Sequence, residues 1–262
     1  MHYVDEGAGE PVLLLHGEPT WSFLWRKLVP PLAAAGRRVV APDLIGFGLS
    51  DKPSEIGWYS YDRHVASVVS LVEQLDLRRL TLVVHDWGGP IGLRLAVEHE
   101  ERIERLVILD TGIGAGSAPS EMWLRFREMV REVGGQLDVG RLVAAGTARG
   151  LSDEVREAYD APFPTPESKA GVLAFPELVP TELDHPNAVA MNGVREALRD
   201  WRKPALVVWG AEDSVLPPRV AERFVELIPG ARGPVLIEGA SHFLQEDRPD
   251  EVVEAILPFL EA

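Results

Sequence analysis

Residues 80–97 constrain this chain more than any other stretch. The β-branched, apolar run Leu80-Thr81-Leu82-Val83-Val84 reads as a buried strand, and Pro90-Ile91-Gly92-Leu93-Arg94-Leu95-Ala96-Val97 reads as a helix. Between them, His85-Asp86-Trp87-Gly88-Gly89 leaves room only for a sharp turn through paired glycines. A strand that turns at once into a helix is the setting of a nucleophile elbow. The elbow position holds Asp86, not serine or cysteine. A carboxylate suits attack at a saturated carbon, giving an ester that water later cleaves at its acyl carbon, whereas a serine would point to acyl transfer.

The surrounding pattern supplies the frame for such an elbow. Strand patterns at 11–15, 38–41, 80–84 and 105–109 alternate with amphipathic helical patterns at about 21–35, 61–75 and 90–99. After Asp110 comes the small-residue hinge Thr111-Gly112-Ile113-Gly114-Ala115-Gly116-Ser117. Its glycines resemble a dinucleotide loop, but the last glycine of that fingerprint is missing and no acid is placed for a ribose, so a hinge is the better reading. The stretch 119–159 reads as helical throughout and is followed by a proline-studded return (Pro162, Pro164, Pro166, Pro176, Pro180, Pro186). Strands resume at 205–209 and 234–238, with helices at about 217–227 and 249–260. The expected architecture is therefore α/β. A mostly parallel sheet with helices on both faces forms a core of residues 1–111 and 187–262, and residues 112–186 form an inserted helical cap.

Composition removes several classes of function. The formal net charge of −15 over 262 residues argues against nucleic acid and against anionic membrane surfaces. With no cysteine there is no disulfide, no thiolate zinc site and no cysteine nucleophile. No apolar run reaches the length of a membrane span, and the opening Met1-His2-Tyr3-Val4-Asp5-Glu6 lacks the features of a signal peptide, so a cytoplasmic location is expected.

A carboxylate nucleophile needs a base for water, an acid to orient the base, and donors for the oxyanion. His242, on the loop after the final strand pattern, is the candidate base, because His64, His99 and His185 fall in a helix, at a helix end and in the proline-rich return. Asp213, after the next-to-last strand, is preferred as the orienting acid, with Asp110 as the alternative. The loop Leu15-His16-Gly17-Glu18-Pro19-Thr20-Trp21 sits where backbone N–H groups bind an oxyanion, and those of Glu18 and Trp87 are the natural pair. His16 is read as a brace for that loop, and the Glu18 side chain as a partner for water or ligand as readily as a solvated charge. The Trp87 indole N–H is a donor that suits a departing halide, and Trp123 in the cap run Met122-Trp123-Leu124-Arg125-Phe126 is a candidate second donor.

With these residues assembled, the chain resembles the haloalkane dehalogenases of the α/β-hydrolase fold over nearly its whole length. The resemblance rests on His16-Gly17-Glu18-Pro19-Thr20-Trp21-Ser22, on 42–53 (Pro-Asp-Leu-Ile-Gly-Phe-Gly-Leu-Ser-Asp-Lys-Pro), on His85-Asp86-Trp87-Gly88-Gly89, on Ala158-Tyr159-Asp160-Ala161-Pro162-Phe163-Pro164 and on His242-Phe243-Leu244-Gln245-Glu246-Asp247. The second and last motifs occur widely among hydrolases of this fold. Glu18, the Asp-Trp elbow and the cap motif together are far more specific. The resemblance implies a two-step hydrolysis without cofactor or metal: Asp86 displaces halide, Trp87 and Trp123 cradle it, and His242 oriented by Asp213 activates water. The implied partners are a small halogenated alkane, water and the halide product, and a monomer is expected.

Three departures stand out. The chain starts with strand-like His2–Asp5, later than such relatives, which leaves an N-terminal edge strand unaccounted for. Asp110 stands where similar members often carry Asn and another subgroup carries its acid. The register of the cap helix around Trp123 is loose. An epoxide hydrolase shares the Asp, His and acid but usually uses cap tyrosines, of which only Tyr159 is available here. Fluoroacetate-type dehalogenases typically carry Arg where this chain has Trp87, and a non-catalytic binding module of this fold should have lost part of the Asp86, His242 and acid set.

Overall fold

In the computed structural model, residues 1–114 and 120–261 are described. Strands β1 (Tyr3–Gly7) and β2 (Glu10–Leu15) are followed by a 3-10 turn at Ser22–Trp25 and helix α1 (Val29–Ala34). Then come β3 (Arg37–Pro42), α2 (Tyr61–Gln74), β4 (Leu80–His85), α3 (Gly88–Glu98) and β5 (Ile103–Leu109). Helices α4 (Glu121–Val133), α5 (Val139–Ala145), α6 (Asp153–Asp160), α7 (Ala170–Leu178) and α8 (Pro186–Leu198) separate β5 from β6 (Ala205–Gly210). The chain closes with α9 (Arg219–Leu227), β7 (Ala231–Ile237), α10 (Leu244–Asp247) and α11 (Pro249–Glu261).

The seven strands form one sheet in the order β1-β3-β2-β4-β5-β6-β7, parallel except for β1, which pairs antiparallel with β3 at the edge. The strand-like start of the sequence is this edge strand. β4 and β6 are buried at every position, which is why both read as unbroken apolar runs rather than alternating ones. Two helix groups cover the sheet: α3 packs on α2 and α8, and α1 packs on α11. Among the described residues no helix is long and apolar enough to cross a membrane.

Several segments depart from the sequence expectation, each for a local reason. The single helix anticipated at 21–35 is a 3-10 turn and then α1, because Pro30 and Pro31 lack N–H groups and fit only a helix's first turn. The helical stretch 119–159 is three helices, broken at Gly134-Gly135 and again across 146–152, with Ser120, Asp138 and Ser152 each capping a new start. The proline-studded return conceals α7 and α8. Pro176 lies inside α7, and Pro186 opens α8 as its first residue, with the His185 side chain accepting the Asn187 N–H. β7 starts at Ala231, ahead of the expected 234, because an edge strand tolerates Gly233-Pro234 where its register against β6 shifts. Hinge residues Ala115, Gly116 and Ser117 lie outside the described residues.

One buried ion cluster ties the helices after β5 to the sheet. Glu246 of α10 accepts both Arg26 guanidinium nitrogens, the Lys27 ammonium at 3.1 Å and the Tyr159 hydroxyl of α6 at 2.6 Å. Its neighbour Asp247 accepts the N–H groups of Ala148 at 2.9 Å, Arg149 at 3.2 Å and Ser241 at 3.0 Å. Replacing Glu246 with Leu leaves Arg26 and Tyr159 without their acceptor. We expect a loss of about 3 kcal/mol and a fall in Tm of roughly 6 to 12 °C, read by calorimetry, with a smaller fall for Glu246→Gln.

Candidate active site

The site is built at the C-terminal ends of β2, β4, β5, β6 and β7. β4 stops at His85, and Asp86 takes φ +48°, a left-handed conformation that only a sharp, over-determined turn sustains in a non-glycine residue. The turn is held from β5: the Asp86 N–H donates to the Asp110 carbonyl at 3.2 Å, and the Thr111 hydroxyl donates to the Asp86 carbonyl at 2.5 Å. Helix α3 starts so close to these strands that a Cβ on Gly88 would overlap the Leu15 carbonyl, and one on Gly89 the Thr111 hydroxyl.

The Asp86 carboxylate is received by the 16–20 loop. Its Oδ1 accepts the Glu18 N–H at 2.7 Å, and the Trp87 N–H beside the same carboxylate favours its charged form. The loop is fixed by His16, whose Nε2 accepts the Leu44 N–H at 2.9 Å, so that its Nδ1–H donates to the Gly17 carbonyl, also at 2.9 Å. Thus His16 braces the loop, as its position in the sequence suggests. The Glu18 side chain turns inward: Oε1 is buried and has no partner among the described residues. Burial and the adjacent Asp86 charge push its pKa well above the usual carboxylate range, against the pull of His242.

His242 faces Asp86 from the other side, with Nε2 at 3.6 Å from Asp86 Oδ2 and Nδ1 at 3.0 Å from Asp213 Oδ2. Asp213 is fixed in turn, its Oδ1 accepting the N–H groups of Val215 at 2.7 Å and Leu216 at 2.9 Å. Burial disfavours the imidazolium, but the Asp213 and then the Asp86 carboxylates outweigh it, so the His242 pKa stands well above the ordinary histidine value. Burial likewise opposes ionisation of Asp86 and Asp213, and His242 overcomes it in both, holding each below the usual range. Asp110 is fully buried beside Asp213 and makes no hydrogen bond to His242. Of the two candidate acids, it is Asp213 whose carboxylate meets the His242 ring.

His85 completes the frame and was not singled out by sequence reasoning. Its Nε2–H donates to the His242 carbonyl at 2.7 Å, and burial and then the His242 charge lower its pKa to about 4, so it stays neutral. A histidine directly before the elbow was the only available signal.

Around Asp86 the walls are aromatic. The Trp87 ring stands edge-on to Phe175 of α7, centroids 5.1 Å apart, and Phe175 in turn meets Phe47 at 4.9 Å and His64 at 4.6 Å. The Asp86 side chain keeps 19% exposure within this largely buried setting. The Trp87 indole N–H has no protein acceptor among the described residues. Trp123 is less closely placed: it lies half-buried in the first turn of α4, with the Arg127 guanidinium 4.9 Å from its ring. No hydrogen bond or ring contact joins it to Trp87 among the described residues. The tyrosine hydroxyls are committed away from Asp86, with Tyr59 donating to Pro53, Tyr61 to Pro90 and Tyr159 to Glu246, while Tyr3 lies on edge strand β1. No tyrosine is left to protonate the alkoxide of an opened epoxide.

Comparison with known proteins places the chain within one fold family. The α/β-hydrolase-fold family pattern matches residues 10–249. A haloalkane dehalogenase of Mycobacterium marinum is 48% identical over 264 residues, covering 98% of this chain and 87% of that protein. One from Psychrobacter cryohalolentis is 40% identical over 267 residues, covering 99% and 87%. The tetrameric haloalkane dehalogenase DpaA from Paraglaciecola agarilytica superposes with a TM-score of 0.91 at 37% identity, covering 96% of this chain and 85% of that one.

Gly17 tests how tightly the carboxylate is received. A Cβ there would overlap Asp86 Oδ1 and the Trp87 nitrogen. We expect Gly17→Ala to fold but to lose turnover by about 100-fold or more, the scale of a lost oxyanion donor. A variant with wild-type steady-state rates would show that this loop does not receive the nucleophile.

Proposed function

Because the chain belongs to the haloalkane dehalogenases of the α/β-hydrolase fold, we propose that its residues divide the hydrolysis of a carbon–halogen bond into two steps at Asp86. The observation that carries the assignment is the carboxylate itself. One oxygen is pinned by backbone N–H groups, and the other faces the His242 imidazole among aromatic walls. In the first step the free Oδ2 attacks the halogen-bearing carbon, forming a C–O bond as halide leaves with the bonding electrons. The Trp87 indole N–H is the donor we assign to the halide, since a large, weakly hydrated anion needs a dry hydrogen bond rather than a full counter-charge. Trp123 is the proposed second donor from the cap.

In the second step water attacks the ester carbonyl carbon and His242 takes its proton. The negative charge that develops on Oδ1 is held by the Glu18 and Trp87 N–H groups, already in place before the reaction starts. Collapse releases the alcohol and restores Asp86. Electrostatics time the exchange of roles. In the resting enzyme two carboxylates hold His242 protonated, and esterification neutralises one of them. The His242 pKa therefore falls at the step in which it must act as a base. The atoms balance if the proton of the resting imidazolium leaves during alkylation and His242 is recharged during hydrolysis. Since Asp86, Trp87, Asp213 and His242 all come from one chain, a monomer suffices for catalysis, and we take the enzyme to be a cytoplasmic monomer.

Bromide release from 1-bromobutane by the folded protein is the direct test of the reaction. We expect Asp86→Asn to abolish turnover, and His242→Phe to release a single equivalent of bromide while gaining the mass of one butyl group. With a pH indicator, the wild-type burst of bromide should carry a proton that the His242→Phe burst lacks. Steady turnover by either variant would refute the mechanism. For the halide site, quenching of tryptophan fluorescence by bromide should weaken by about tenfold in Trp87→Phe, the scale of one desolvated hydrogen bond to a charge. Trp123→Phe should weaken it less, given the Arg127 contact; a larger effect at Trp123 would reverse the assignment.

A further inference from the structure

Asp110 is used by none of these steps, yet it sits at their centre. It ends β5, is fully buried, and takes φ +29° in a region unfavourable for a side chain. Its carbonyl receives the nucleophile's own N–H. Its carboxyl accepts the Gly210 N–H at 3.0 and 3.2 Å, at the foot of the loop that carries Asp213. The Gly210 carbonyl in turn accepts the Asp213 N–H at 3.2 Å, so the two buried carboxyls lie side by side on either side of Gly210. Adjacent buried carboxylates repel, and a proton held by one of them relieves the repulsion.

The remaining partners decide which. Asp213 receives two N–H groups on Oδ1 and faces His242 on Oδ2, whereas Asp110 receives one N–H shared between its oxygens. Donors favour the charged form, so Asp213 keeps the charge. The groups facing Asp110 are Asp213 on the loop after β6 and His242 on the loop after β7, and no Lys or Arg pairs with it among the described residues. Burial and the Asp213 charge accordingly push its pKa well above the usual carboxylate range, outweighing His242 and the Gly210 N–H.

We propose that Asp110 is a positioning residue that, as a neutral carboxylic acid, donates a hydrogen bond to Asp213 and holds that carboxylate on His242 during ester hydrolysis. The inference rests on the reading of Asp213 as the orienting acid. Asparagine can replace the acid atom for atom, with its amide N–H donating to Asp213 and its oxygen accepting from Gly210. Leucine can do neither.

Single-turnover measurements with 1-bromobutane separate the steps. Asp110→Leu should keep its bromide burst within about twofold of wild type but hydrolyse the ester tenfold or more slowly, as for a lost hydrogen bond to a charge. Asp110→Asn should restore hydrolysis. The wild type should show an alkaline fall in hydrolysis as Asp110 ionises against Asp213, and Asp110→Asn should not. Stability gives a second readout should Asp110→Leu fail to fold. Unfolded Asp110 ionises near pH 4 but the folded residue keeps its proton, so the wild type loses stability relative to Asp110→Asn as pH rises from about 4 towards the folded pKa. The Tm difference between them should widen over that range.

Equal hydrolysis defects in Asp110→Asn and Asp110→Leu, an unimpaired Asp110→Leu, a shared alkaline limb or a constant Tm difference would each overturn the proposal. Asp213→Ala serves as the control and should accumulate the ester. If it instead turned over normally, the reading of Asp213 would fall first, and Asp110 with it.

Discussion

A buried carboxylate without a Lys or Arg beside it must be surrounded by other donors, and the arrangement of this molecule follows from satisfying that need at Asp86. Its oxygens are met by a backbone N–H from the loop after β2 and an imidazole from the loop after β7, with the N–H of the next residue nearby favouring the charged form. Each requires a strand to end at the same level, which the parallel register of β2, β4 and β5 provides. The same requirement explains the left-handed turn at Asp86 and the glycines behind it, since the side chain must stand clear of the sheet while helix α3 starts at once.

One imidazole cannot balance every acid gathered there. Asp86, Asp213, Asp110 and Glu18 converge on His242. They sort into two pairs whose members are pushed in opposite directions. Asp86 and Asp213, with the most donors, are held below the usual carboxylate range, whereas burial pushes Glu18 and Asp110, with fewer donors, well above it. The distribution of backbone N–H groups, rather than the chemical type of the side chain, decides which carboxyl is a base and which an acid.

Much of this was legible in the sequence where local chemistry and final environment agree. β4 and β6 are buried on both faces, so their residues are apolar throughout and the strands announce themselves. Asp86, Asp213 and His242 could be picked out because each follows a strand, and chain order alone suggested their meeting. Prolines marked starts that the pattern did not separate: Pro30 and Pro31 open α1 within a stretch expected as one helix, and Pro186 opens α8 at the end of the proline-studded return. His85 and Glu246 were hidden because their partners, the His242 carbonyl and Arg26 with Tyr159, are distant in sequence and set by packing. The neutral state of Asp110 was hidden for a related reason, since protonation depends on a count of neighbours that only three dimensions supply. Trp123 was chosen by position in a cap run, and the structure sets it beside Arg127 rather than Trp87.

The segment from Ser241 to Asp247 serves two masters. It carries His242, and it also binds the helices inserted after β5: the Phe243 N–H donates to the Gly146 carbonyl, Asp247 accepts from Ala148 and Arg149, and Glu246 accepts from Tyr159. The His242 loop and the helices inserted after β5 are therefore not separable modules. Exchanging those helices for others of another shape also resets the footing of His242. A transplanted set would keep these contacts only if residues 241–247 travelled with it.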